Sequence, residues 1–364
     1  MEYPKVAIIY LSYHSEIYLD DAISALEKST YPKERVEFVV VDNPHPQAGS
    51  SMRALEEKLM PISGKTIPHV TLLPQAENLG FAGGNNVGIA WALKHGFDYI
   101  YFHNNDGFMA ADCLEKMVRA MEKDSTIGAA QSLLLLYPET DLVNTAGNSF
   151  HYLGFGYCGS FRFKKSDLQL QEVQEVGYAS GASIIMRARL LTEYGFWDKD
   201  FFMYHEDLEY SLRMKAVGYK VSIIRDAIFY HKYQFSRNKD KFYNMERNRF
   251  AVMLMYFKWP TLLLLLPMAI IMEAGLVLFS IMAGWFSLKM QVYTYWLTPR
   301  HWALWLEKRK HIQSIRKVSD SYMLATAVDK VIFDEKDIDN PLLKYVANPL
   351  MTAYWFVAKR IIFW

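Results

Sequence analysis

The chain has 364 residues, 40 Lys and Arg against 39 Asp and Glu, and a formal net charge of +1. That balance argues against a nucleic-acid binder, which carries a basic excess, and 51% hydrophobic with 22% charged residues excludes a disordered chain. The length suits about two domains, and the charge is split: residues 1–257 hold 27 basic and 31 acidic side chains, whereas 258–364 hold 13 and 8.

In chain order, Val6 to Leu11 is a short apolar, β-branched run, followed by Ser12-Tyr13-His14-Ser15 and a helical pattern to about Lys28. Val36 to Val41 is a second run, cut off by Asp42-Asn43-Pro44. Val70 to Leu73 is a third, and Tyr99 to Phe102 a fourth, ending at His103-Asn104-Asn105-Asp106-Gly107. Apolar strands separated by helices predict an α/β fold with a mostly parallel sheet covered on both faces. Ligands of such sheets bind at the carboxyl ends of the strands, where Ser12, Asp42 and the Asn104–Asp106 cluster fall. From about 127 to 187 short strands with Gly-rich turns are expected. Helices return near 188–194 and 207–217, and strands at Val221–Ile224 and Ala227–Tyr230. Cys113 and Cys158 have no spacing for a metal site or disulfide framework and suit a reducing compartment. The N-terminal residues show no secretory pattern.

The sharpest change in composition is Trp259 to Leu288: from Thr261 to Met272 only Pro267 interrupts the apolar run, Glu273 follows, and Ala274 to Phe286 continues apolar. Roughly 20 apolar residues span a bilayer, so the length suffices for one tilted crossing. A mid-membrane carboxylate is costly unless paired or protonated, and equal basic flanks (five Lys or Arg on each side) fit a re-entrant hairpin slightly better. A buried core helix is the plain alternative. Seven of the nine tryptophans fall after residue 258, and beyond the segment aromatics interleave with Lys and Arg, the chemistry of a headgroup-layer helix. The expected organisation is a domain over 1–257, a membrane segment over 258–288 and a membrane-interface region over 289–364, at the cytoplasmic face of the membrane.

Four clusters carry chemistry. Asp42 ends a buried strand, where it can accept from a nucleobase imide or a ribose hydroxyl, although Asp-Asn-Pro is also strong turn chemistry. The run Asn78-Leu79-Gly80-Phe81-Ala82-Gly83-Gly84-Asn85-Asn86-Val87-Gly88 could let a helix N-terminus approach a phosphate, but it has neither dinucleotide nor P-loop spacing. Asp106 could hold a divalent cation, Mg²⁺ or Mn²⁺, against a diphosphate, or be a turn residue before Gly107. Glu206 and Asp207 open a helix after Phe201-Phe202-Met203-Tyr204-His205. Carboxylates are favoured there by the helix dipole, and at a pocket mouth one can be a general base. His231 is a further imidazole that could serve as a ligand.

Taken together, the order and spacing of these clusters resemble family 2 glycosyltransferases with a GT-A fold, especially the rhamnosyltransferase-like bacterial branch, over about residues 4–257. The resemblance implies that Ser12 and Tyr13 form a nucleotide loop, Asp42 binds the base, and Asn78, Gly83 and Asn86 lie beside the donor. Asn104-Asn105-Asp106 resembles the D-x-D element with Asn for the first Asp, which implies donor contacts from Asn105 and Asp106 and a cation held by Asp106 and His231. Gly181, Ala182, Tyr204 and Arg213 would face the acceptor, and Glu206-Asp207 would carry the catalytic base. The implied reaction is inverting transfer from a nucleoside-diphosphate sugar, for example dTDP-rhamnose, to a polyprenyl-diphosphate-linked saccharide, with membrane lipids as further partners and no nucleic acid. Gln234-Phe235-Ser236-Arg237-Asn238 lacks the Trp of the processive Q-x-x-R-W element, so transfer of one or a few sugars is expected. A catalytically inactive membrane-bound scaffold is the alternative, motivated by Asn104.

Overall fold

The computed structural model describes residues 3–233, 240–331 and 341–364; the segment 234–238 compared above with Q-x-x-R-W lies outside the described residues. The chain forms two compact units. The first comprises Met1–Asn148, Cys158–Ser211 and Tyr219–Phe235, and the second Ser149–Tyr157, Leu212–Gly218 and Ser236–Trp364.

The first unit is built on a ten-stranded mixed sheet. Its strands are β1 (Val6–Ser12), β2 (Val36–Asp42), β3 (His69–Pro74), β4 (Tyr99–His103), β5 (Gly107–Met109), β6 (Ile127–Leu136), β7 (Val143–Thr145), β10 (Val173–Glu175), β11 (Ser183–Arg187) and β12 (Lys220–His231), while the short β8 (Asn148–Phe150) and β9 (Gly156–Cys158) pair separately. The order is β10-β12-β6-β11-β4-β1-β2-β3, with β5 on β12 and β7 on β6. Six strands, β1, β2, β3, β4, β6 and β12, run in one direction, and the other four run against them. The expected parallel sheet is therefore present but carries antiparallel members, of which β11, between β4 and β6, lies deepest.

Two other expectations are corrected. The stretch from residue 127 begins with one fully buried ten-residue strand, β6, because its apolar run continues to Leu136. Val221–Ile224 and Ala227–Tyr230 belong to a single strand, β12. A register shift between Ile224 and Ile228 lets pairing continue past the exposed, ion-paired Arg225 and Asp226.

Strand residues alternate between two cores, as a period of two requires. Val6, Ile8 and Tyr10 pack with helices α1 (Leu19–Lys28), α2 (Met52–Leu59) and α4 (Cys113–Lys123). In α4, Leu114, Met117, Val118 and Met121 are buried at helical spacing, each contributing roughly 1.5–3 kcal/mol. Helix α3 (Gly80–Lys94) covers the opposite face, over Ile9 and Leu11. Helices α5 (Ala188–Tyr194) and α6 (Glu206–Ala216) follow β11.

The described part of the second unit is helical: α7 (Asp240–Tyr256), α8 (Trp259–Met282), α9 (Phe286–Leu297), α10 (Pro299–Ile315), α11 (Asp320–Met323) and α12 (Asn348–Ile361). Proline sits in the first turn of α8, α10 and α12, where its missing N–H costs nothing. Helix α7 belongs with this unit, so compactness changes before residue 240 rather than at 257. Besides buried apolar side chains such as Val252, Leu254 and Tyr256, ion pairs tie α7 to α8 and α9. Arg249 of α7 bridges Glu246 at 2.8 Å and Glu273 of α8 at 2.5 Å, and Lys289 of α9 bridges the same two carboxylates at 2.5 and 2.7 Å. Glu246, which is fully enclosed, is held down at about 2 by the two cations, which overcome the opposing effect of burial.

Candidate active site

Strands β1, β2 and β4 all end on one edge of the first unit's sheet, at Ser12, Asp42 and His103. β12 ends beside them at His231, paired with Gly107, and β11 begins there, Ser183 opposite His103. Topology thus collects five segments distant in sequence at one edge.

At the β2 end, the Asp42 carboxylate is almost wholly buried (1% exposed). It accepts from the Ser50 hydroxyl at 2.5 Å and the Ser51 N–H at 3.0 Å, so it orders the loop into α2. Beside it, Asn43 Oδ1 accepts the Leu79 N–H at 2.8 Å, and its Nδ2 donates to Asn78 Oδ1 at 2.9 Å, which also receives the Gly80 N–H. Asn43 was not among the expected site residues, although it adjoins Asp42. It fixes the entry into α3. Ser12 Oγ lies 3.0 Å from Ser15 Oγ, and the Tyr13 ring lies 5.0 Å from that of His45.

The glycines of α3 serve packing more than phosphate approach. A Cβ on Gly84 would lie 2.5 Å from Leu11 Cδ1 and one on Gly88 2.8 Å from Ile9 Cγ2, so the helix presses onto β1. Gly80 has φ +71°, and a Cβ there would meet the Phe202 carbonyl at 2.6 Å. Gly83 meets only Leu79 Cβ, at 3.1 Å. Asn86 donates from Nδ2 to the Trp197 carbonyl at 2.8 Å, while its buried Oδ1 has no hydrogen-bond partner.

Past β4, Asp106 Oδ1 lies 2.8 Å from His231 Nε2 and receives Asn104 Nδ2 at 2.6 Å. On its other side, His231 Nδ1 meets Asn144 Oδ1 at 2.8 Å. Such a partner fixes ring orientation and tautomer. Asn144, 87 residues from His231, carries no local signal that sequence reasoning could have used. Asn105 follows in the same turn, its carbonyl facing Tyr10 Oη at 3.4 Å. No group of three or more His, Cys, Asp or Glu gathers to hold a metal among the described residues.

The acceptor-side loop joins the two ends of the site. Gly181 N–H donates to Asp207 Oδ2 at 3.1 Å, and the Ala182 carbonyl accepts the Asn104 N–H at 2.9 Å. Ser180 N–H is held by Gln131 Oε1 at 2.9 Å. Asp207 also receives its neighbour's Leu208 N–H at 2.8 Å. Burial pushes its carboxyl up to about 6 against those two donors. Glu206 is pushed well above the carboxylate range by burial and by the charge of Asp207, and its Oε2 is buried without a hydrogen-bond partner. The approach to this pair is strained, since Phe202, Tyr204 and His205 have φ of +63°, +68° and +68°. Strain of this kind clusters at functional sites. The Phe202 carbonyl accepts the Ala82 N–H at 3.2 Å, tying the loop to α3. Tyr204 is half-buried there, with its hydroxyl pushed up by burial. Arg213 lies further along the same helix, α6, and is buried.

Residues 7–195, just over half of the chain, match the family model described as "Glycosyl transferase family 2". The chain belongs to this family. It is 24% identical over 238 residues to "Probable glycosyltransferase YdaM" of Bacillus subtilis, covering 62% of this chain and 50% of that protein. It is 30% identical over 140 residues to an "Uncharacterized glycosyltransferase" of Haemophilus influenzae, covering 38% and 39%. The chain thus spans half or less of these curated relatives. Among solved structures it resembles GalNAc-T7 with UDP, GalNAc and Mn²⁺ (TM-score 0.55, 12% identity, 70% of this chain and 48% of that one). It also resembles the mannosyltransferase PcManGT of Pyrobaculum calidifontis with GDP-Man and Mn²⁺ (TM-score 0.50, 16% identity, 90% and 86%). At these identities the likeness is one of fold: the first unit is GT-A-like.

Proposed function

We propose that the protein is an inverting glycosyltransferase that moves a sugar from a nucleoside-diphosphate donor to an acceptor hydroxyl. The observation that carries the reading is the Gly181-Ala182 peptide. One of its ends holds Asp207 and the other holds the Asn104–Asp106 turn, so a base and an anion-facing cluster share one rigid support. Asp207, pushed up to about 6, is ionised at neutral pH and basic enough to take a proton. As the acceptor oxygen bonds to the anomeric carbon, its proton passes to Asp207 and the carbon–oxygen bond to the diphosphate breaks, with inversion. Glu206, kept protonated, leaves Asp207 as the single charge of the pair.

Asp106 and His231, held 2.8 Å apart with Asn144 behind the imidazole, form a mixed oxygen and nitrogen pair that fits one edge of a divalent cation. Diphosphate oxygens and water would supply the rest of its shell. Bound there, Mg²⁺ or Mn²⁺ would neutralise charge growing on the leaving diphosphate. GalNAc-T7 and PcManGT, both solved with Mn²⁺, support a cation in this fold. Ser12, Tyr13, Asp42 and Asn78 border the donor in this reading. Gly83, Asn86 and Asn105 serve it through the α3 entry and the Asp106 turn, and Gly181, Ala182 and Tyr204 border the acceptor.

The donor is to be narrowed by test, beginning with dTDP-rhamnose. For the acceptor we infer a lipid-linked saccharide, polyprenyl-diphosphate in type, met at the cytoplasmic face of a membrane to which residues 258–364 attach the enzyme. Helix α8 supports this: it is the one helix among the described residues long and apolar enough to cross a membrane. The test is release of nucleoside diphosphate from a panel of nucleotide sugars, with Mg²⁺ and Mn²⁺ in parallel, then transfer to lipid-linked and soluble acceptors. Cation-dependent turnover of at least one donor is expected. No turnover with any donor would overturn the reading in favour of an inactive scaffold.

A further inference from the structure

Helix α8 wears its polarity inside out. Leu263, Leu266, Ile270, Leu278, Ile281 and Met282 recur every three or four residues or a multiple of that spacing, and all are exposed, Leu263 at 66% and Met282 at 78%. They form one apolar stripe along a helix of 24 residues, about 36 Å long. The face turned into the second unit carries the polar groups. Thr261 is bonded to Asp320 and to Trp364 Nε1, Ser280 is buried, and Glu273 is held by Arg249, Lys289 and the Tyr293 hydroxyl at 2.5, 2.7 and 2.7 Å. A water-facing helix shows the reverse arrangement.

Glu273 lies near the middle of α8, and its partners decide the orientation. Arg249 and Lys289 sit on α7 and α9, which carry Glu246 in the same ion cluster. If α8 crossed a bilayer, this cluster would be drawn to the hydrocarbon centre, where charges are expensive. Helix α9, at 12 residues, is too short to cross beside it. Helix α12 contacts α8 and itself exposes Leu350, Phe356 and Val357, ending in the exposed Lys359 and Arg360. Such a rim suits anionic headgroups, and the net charge of residues 258–364 is +5 (13 basic, 8 acidic).

We propose that α8 and α12 lie side by side in the plane of one leaflet, apolar stripe down, and that α8 does not cross the membrane. This rests on the membrane attachment inferred above and specifies its geometry. The occupant of the stripe is the acyl region of an anionic bilayer, reached by burial of apolar side chains with basic residues at the headgroups.

The test uses the full chain on phosphatidylcholine vesicles with and without phosphatidylglycerol. Nitroxide is placed at Leu263→Cys, Ile270→Cys, Leu278→Cys and Met282→Cys in a Cys158→Ser background, Cys113 being fully buried. Vesicle binding that strengthens with phosphatidylglycerol, and equal immersion depths at all four positions, are expected. A crossing helix would instead spread them over about 28 Å of depth, with the deepest label near the middle; that profile overturns the in-plane geometry and leaves membrane attachment standing. Absence of vesicle binding, or a lipid-independent dimer with the labels facing each other, overturns both. Donor hydrolysis in the same samples reports the glycosyltransfer reading separately. Ile270→Glu with Leu278→Glu should lower vesicle binding at least about tenfold with donor hydrolysis unchanged; unchanged binding would refute the stripe as the contact.

Discussion

Replacing Asp207 with Asn changes one atom of the base: the amide oxygen can still accept the Gly181 N–H now received at 3.1 Å, while the Leu208 N–H at 2.8 Å loses its acceptor. What is lost is the proton acceptor, commonly worth about 10²–10⁴ in rate. The structure adds a pH signature. Burial holds the carboxyl at about 6, so about nine-tenths of it is ionised at pH 7 and about one-tenth at pH 5. Because the ionised form is the active one and its pKa is raised, activity is half-maximal near pH 6, approaches its full value above about 7, and falls about tenfold per unit well below 6. The assay is kcat for sugar transfer between pH 4.5 and 8, with nucleotide affinity measured alongside. Asp207→Asn should lose at least about a hundredfold in kcat, lose the acid limb near 6, and bind nucleotide within about threefold of the parent. Retention of more than about a tenth of the turnover, or an unchanged acid limb, would refute the assignment. Glu206→Gln is the control: a carboxyl kept protonated by burial and by Asp207 is nearly isosteric with the amide, so kcat should fall less than about tenfold.

Three further outcomes follow from particular contacts. Asn144→Ala removes the partner that orients His231 and should raise the cation concentration for half-maximal activity about 10–100-fold, with kcat at saturating cation little changed; an unaltered cation titration would separate His231 from the metal. Gly84→Ala places a Cβ 2.5 Å from Leu11 Cδ1 and should cost about 1–3 kcal/mol of stability, read by denaturant unfolding; a neutral result would mean that α3 can move off β1. Lys289→Met leaves Glu246 and Glu273 sharing Arg249 in a largely buried site and should cost about 3–5 kcal/mol, seen as a lower melting temperature. Adding Glu273→Gln should restore part of that loss, and no recovery would show that the two residues are not coupled.

The apolar runs ending at Ser12, Asp42 and His103 needed nothing but the sequence, because a strand buried on both faces must be apolar throughout and its polar terminator marks the site edge. Glu206-Asp207 at a helix start and the long apolar stretch from Trp259 were legible for the same reason: the signal is local. The glycines after Asn78 were ambiguous, since a glycine needed for close packing of helix on strand, as at Gly84 and Gly88, looks in sequence like one needed for a phosphate. Only tertiary structure could bring Asn144 behind His231 or set Gly181-Ala182 between Asp207 and Asn104, because these pairings depend on strand order across a mixed sheet. It also decided the meaning of Glu273. In sequence that residue is a charge interrupting a membrane segment; folded, it is ion-paired on the inner face of a helix whose outer face is apolar. Periodicity gives each element its faces, but the sequence does not say which face meets its own chain and which meets the surroundings, since that depends on partners distant in sequence.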